Sequence, residues 1–156
     1  MDHELVHLPE FTCIGLEAVG SLAGSREWIP LLWEEFIKRS WEVPHLDQSG
    51  AWGLMSDTEI HLAPWGGARG RYLASRKAPP GTQPTKDWVA WTIPDMTWMR
   101  IPCRLALIPE AIAHAKEFQR NHPEWRWGSA VHEFYPASFR NPSTDELHLM
   151  AGLLPR

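Results

Sequence analysis

Residues 78–86, APPGTQPTK, hold three prolines and one glycine in nine positions, so this stretch is neither helix nor strand. It falls near the middle of the 156-residue chain. On both sides the hydrophobic period changes in the same order, from strand to helix and back to strand. That symmetry leaves few folds open. It predicts the α+β class: a duplicated β-α-β-β unit, with an antiparallel sheet and two helices packed on one face. The half-repeats cover about 8–77 and 88–155, joined by a linker at 78–87, and 1–156 reads as a single domain.

The elements follow from the periods. Phe11–Ser21 alternates as a strand, with Cys13, Gly15, Glu17 and Val19 on one face and Thr12, Ile14, Leu16 and Ala18 on the other. Trp28–Trp41 carries a helical stripe of Trp28, Leu32, Trp33, Phe36 and Ile37, with Pro30 in its first turn. Gly50–Ser56 is the next strand, and either Glu59–Ala63 or Gly70–Lys77 pairs with it across the Pro64–Gly67 break. In the second half, Trp88–Thr92 and Met96–Pro102 flank a Pro94-Asp95 turn. A helix over Pro109–His122, a strand over Ala130–Arg140 and a last strand over Glu146–Leu153 complete it. Ser56–Leu62 (SDTEIHL) and Ser143–Leu149 (STDELHL) echo one another. A groove between two such halves is a natural ligand site.

Several functions are disfavoured at once. The net charge is −4 and no Lys/Arg run exists, so direct nucleic-acid binding is not expected. The densest basic group, Arg69, Arg71, Arg76 and Lys77, reads as a solvated strand face. Two cysteines, no signal peptide and no apolar stretch of membrane length point to a reduced, cytoplasmic protein without a membrane role. There is no glycine-rich phosphate loop and no Gly-x-Ser-x-Gly turn. His132-Glu133 lacks the second histidine of a zinc helix, and the eight histidines show no ligand spacing, so neither metal nor cofactor is expected. No segment is left over for a helix-turn-helix, which argues against a complete transcription regulator.

The positive signal is AVHEFYPASFR, residues 130–140. Alternation puts Glu133 and Tyr135 on one face and His132 and Phe134 on the other. Val131, Phe134, Tyr135 and Phe139 argue that the segment is buried. A buried carboxylate costs roughly several kcal/mol unless it is paired or protonated. The plainer reading is a solvated glutamate or one bonded to a nearby Lys or Arg. Ten tryptophans accompany it, and their flat, electron-rich faces suit planar or cationic ligands, with two to four expected to line a cavity.

Four segments in this order resemble the GyrI-like effector-binding family, the AraC-type ligand-binding domains of multidrug-responsive regulators, whose fold is also described as SOUL-like. They are Trp52–Asp57 (WGLMSD), Trp91–Trp98 (WTIPDMTW), Glu133–Tyr135 (EFY) and Asn141–Glu146 (NPSTDE). Pro102–Pro109 departs from the His-x-Gly-Pro start that the family often has before its second helix. The resemblance implies a pseudo-symmetric fold, an aromatic pocket between the halves and a glutamate at its floor, here Glu133 with Tyr135 beside it. Trp52, Trp91 and Trp98 become candidate walls. Trp28, Trp33 and Trp41 are read as wall or core, and Trp125 and Trp127 as structural. The expected function is a stand-alone binding protein for hydrophobic, aromatic, cationic compounds. The alternative is a hydrolase opening strained cyclopropane rings of DNA-alkylating compounds, with Glu133 as general base and Tyr135 as hydrogen-bond donor. A third reading is a protein-interaction module, although the net charge of −4 is too slight for DNA mimicry and no protein partner is supported.

Overall fold

The structure is a computed structural model that describes residues 1–65 and 67–156. Gly66, part of the expected Pro64–Gly67 break, lies outside the described residues. Eight strands alternate with two long helices: β1 (Glu4–Leu8), β2 (Phe11–Ser21), α1 (Ser25–Arg39), β3 (Gly50–Ser56), β4 (Arg69–Ala78), β5 (Val89–Ile93), β6 (Met96–Arg104), α2 (Ile108–Asn121), β7 (Trp125–Pro136) and β8 (Glu146–Pro155). All eight strands join in one antiparallel sheet of order β1-β6-β8-β7-β3-β4-β2-β5.

The order contains the repeat. One unit is β2-α1-β3-β4, the other β6-α2-β7-β8, and they meet where β3 pairs with β7. That joint is four residue pairs long, from Gly50↔Pro136 to Gly53↔Glu133. β1 was not expected. It precedes β2 yet pairs with β6, while β5 precedes β6 yet pairs with β2. Each half thus lends its leading strand to the other.

This exchange curls the sheet. Only Pro9 and Glu10 separate β1, at one edge, from β2, next to the other edge. Pro94 and Asp95 make the same short link between β5 and β6. The edges must therefore approach, and the His7 ring stands 2.8 Å from Asp95 Oδ1 across the gap. Inside the curl lies a core of Phe11, Cys13, Trp52, Trp91, Ile93 and Trp98, with Val6 and Leu8 packed on it.

The other face carries the helices. α1 rests on Ile14, Leu16, Tyr72 and Ala74 through Phe36, Leu32 and Trp33. α2 rests on Met99, Ile101, Leu147 and Leu149 through Ala111, Ala115 and Ile112. Small residues at 111 and 115, four apart, let α2 approach the sheet closely. Leu31 and Ile37, by contrast, are exposed on α1, so the helical stripe read there is only partly the buried one.

One open alternative is decided and one expectation is corrected. Glu59–Ala63 is an irregular loop with Ile60 and Leu62 at positive φ, and β4 takes the place beside β3. The echo between Ser56–Leu62 and Ser143–Leu149 is therefore not structural, since the first is that loop and the second runs from a turn into β8. The proline-rich linker is anchored at its end: Arg39 donates to both carboxylate oxygens of Asp87 and to Glu42.

Candidate functional site: a buried carboxylate under aromatic rings

Glu133 is the first β7 residue paired with β3, at the seam between the two units. Its side chain is only 6% exposed and faces the helices. Gly53, its ladder partner, makes the room. A Cβ there would stand 2.0 Å from the Tyr72 hydroxyl and 2.8 Å from Glu133 Oε1. Glycine in mid-strand permits this close approach of side chains to the neighbouring backbone.

Tyr72 projects from β4 into the same space and donates its hydroxyl hydrogen to Glu133 Oε1 at 2.7 Å. Trp33, from α1, donates its indole N–H to that hydroxyl oxygen at 3.0 Å. A directed chain of donors, Trp33 to Tyr72 to Glu133, therefore ends on the carboxylate. The Trp33 ring meets Tyr72 and Tyr135 edge-on, with centroids 6.2 Å and 5.5 Å away. Phe139 stands edge-on to Tyr135 at 5.1 Å. The sequence places Tyr135 beside Glu133, and the structure keeps it there.

Charge bookkeeping sets this carboxylate apart. Among the described residues, every ion pair uses another acid, so no Lys, Arg or His nitrogen comes within 4.0 Å of Glu133. Burial raises its pKa, and the hydrogen bond from Tyr72, with the Tyr135 hydroxyl nearby, opposes that rise. The same burial and the nearby carboxylate raise Tyr72 well above an ordinary phenol, and Tyr135 in the same direction. Both phenols are therefore permanent donors at physiological pH.

Three expected wall residues are elsewhere. Trp52, Trp91 and Trp98 lie inside the curl, on the face opposite Glu133. Trp52 is one step from Gly53 in β3, and a single step along a strand reverses the side. The Trp91 indole N–H bonds to Glu17 at 3.0 Å, and Glu17 is also paired with Arg71. Trp52 meets Phe11 and Phe134 at tilted angles and lines a surface cavity of about 170 Å³ with Asp47 and Lys77. Neither this cavity nor a larger one of about 330 Å³ near the end of α1 is lined by Glu133. The space before the carboxylate is occupied by Trp33 and the two phenols.

Sequence reading missed Tyr72, Gly53 and Trp33 as a unit. Two signals were present. A tyrosine amid the apolar residues of a strand needs a partner for its hydroxyl, and a glycine within a strand marks a close approach.

A duplicated β-α-β-β sheet with a carboxylate buried at its seam is a distinctive architecture. Solved structures have a similar fold. SAV2435 bound to tetraphenylphosphonium superposes with a TM-score of 0.70 at 11% identity, over 99% of this chain and 94% of that one. The EcmrR C-terminal domain gives 0.68 at 11% identity, over 99% and 98%. EcmrR in its complex with DNA gives 0.73 at 10% identity, over 99% of this chain but 58% of that one. No family model and no curated protein matches the sequence. The chain has the GyrI-like effector-binding fold.

Proposed function

We propose that the protein binds a hydrophobic, aromatic cation, with Glu133 as its counter-charge and the faces of Trp33, Tyr72 and Tyr135 as its walls. One observation carries this reading: a buried carboxylate that has a phenol for a partner and no cation. A delocalised cation would relieve the desolvation of Glu133 and gain from the ring quadrupoles as well. SAV2435, which shares the fold, was solved with such a cation. The coupling of Trp33 to both phenols makes α1 the element that must give way to admit a guest. Titration calorimetry with tetraphenylphosphonium tests it. Binding tighter than about millimolar, lost on Glu133→Gln, is expected. Absence of binding, or equal binding by the variant, sinks the proposal.

The raised pKa of Glu133 favours one further use of the site. A carboxylate shifted toward neutral is suited to accept a proton from water, and the Tyr135 hydroxyl can donate to a polarised carbonyl. This is the hydrolase reading, opening strained rings of alkylating compounds. Multiple turnovers of such a compound, abolished by Glu133→Gln, would replace stoichiometric binding as the function.

A further inference from the structure

Arg76 does not lie on a solvated strand face. It follows Tyr72 and Ala74 on the helix side of β4, opposite Ile14, and its side chain is partly buried near the end of α1. There it borders the cavity of about 330 Å³, together with Phe36, Trp41, Val43, Leu46 and Gln48. That volume falls within the range of small-molecule sites, roughly 300–1,000 Å³.

The walls and the charge are unlike those around Glu133. The guanidinium lies over the Phe36 ring, 5.9 Å from its centroid. One Nη donates to Gln48 Oε1, and the Gln48 amide nitrogen is tied to the Leu46 carbonyl at 2.9 Å, so Gln48 orients the arginine. Among the described residues no carboxylate pairs with Arg76, and its Nε–H has no acceptor. Asp47 is near enough to feel its charge, yet that carboxylate accepts from the Ser49 N–H and hydroxyl, both at 2.9 Å. At the rim stands Trp41, 76% exposed, a large apolar surface left in water.

We propose that this cavity is a second ligand site, for a planar aromatic carboxylate whose rings lie against Trp41 and Pro44 and whose carboxylate pairs with Arg76. Gln48 takes one Nη and Nε is buried, so the other Nη, which has no acceptor among the described residues, is the donor left to a ligand carboxylate, and Trp41 beside it supplies the apolar contact. The site carries the opposite charge preference to Glu133 and shares no residue with it, so either can fail without the other.

Calorimetry with 1-naphthoate, with 1-naphthamide as the neutral control, tests the proposal. Expected are binding of naphthoate at least about tenfold tighter than the amide, a loss of at least about tenfold on Arg76→Met, and no change on Glu133→Gln. Trp41→Ala, a change at an exposed position, decides the matter if Arg76→Met does not fold; it should weaken naphthoate at least about fivefold. The proposal is overturned if naphthoate does not bind below about millimolar, if the amide binds equally, or if the variant that folds binds as the parent does.

Discussion

His132 and Glu133 are neighbours in β7, and both are buried, but on opposite faces of one sheet. His132 points into the curl, where its Nδ1 accepts the Met55 backbone N–H at 3.0 Å and its ring lies 5.6 Å from that of Trp98. The bond to Met55 fixes a neutral tautomer with the hydrogen on Nε2, which has no acceptor among the described residues. Burial lowers the His132 pKa from 6.5 to about 3. The two residues therefore respond to pH in opposite senses.

For His132 the folded pKa is depressed, so its contribution is present above about pH 6.5 and is lost as pH falls toward 3. The limiting slope from one proton is about 1.4 kcal/mol per pH unit. Urea unfolding between pH 7 and pH 4 should show this decline. His132→Asn, whose side-chain oxygen can accept from Met55, should be less stable at pH 7 but should lose that share of the slope. An unaltered slope would show that the imidazole charges freely in the folded state.

For Glu133 the folded pKa is raised from 4.5, so its contribution is present in full below about pH 4.5 and is lost as pH rises from there through the raised value. Glu133→Gln keeps an acceptor for Tyr72 and removes the charge. At pH 7.5 the variant should be more stable than the parent by about 1–2 kcal/mol, with the gain fading at acid pH. A variant less stable at pH 7.5 would mean that the carboxylate is already compensated in the free protein.

Gly53→Ala puts a methyl group 2.0 Å from the Tyr72 hydroxyl. Tyr72 is fully buried and cannot swing away, so the hydroxyl must leave Glu133 or the strands must part. A loss of about 2–3 kcal/mol in unfolding free energy is expected, together with loss of cation binding. Thermal melts and the same calorimetric titration check both. Gly67→Ala is the useful contrast, because its position at φ +82° is strained but has nothing within 4 Å to clash with. It should lower stability without touching binding.

Trp33→Phe keeps a ring against the two phenols and removes the hydrogen bond to Tyr72. Its cost should be about 1 kcal/mol. If Trp33 and α1 bar the way to Glu133, stopped-flow association of a fluorescent lipophilic cation should be faster in this variant. Equal association rates would place the route of access elsewhere.

Local pattern was enough for much of this molecule. The proline-rich linker, the two helices and most strands were legible because periods of 2 and 3.6 are imposed by burying one face of each element. The adjacency of Glu133 and Tyr135 was legible for the same reason, since residues two apart in a strand share a face whatever surrounds them. Pairing was not. β1 and β5 each leave their own half and join the other, a choice made by closure of the curl rather than by their five residues. The same closure put Trp52, Trp91 and Trp98 inside, and so away from the carboxylate, whereas Tyr72 and Trp33 reached it from 61 and 100 positions earlier in the chain. The identity of each side chain is local information, but the partner that a buried charge finds depends on which strands lie side by side, and only the assembled sheet settles that.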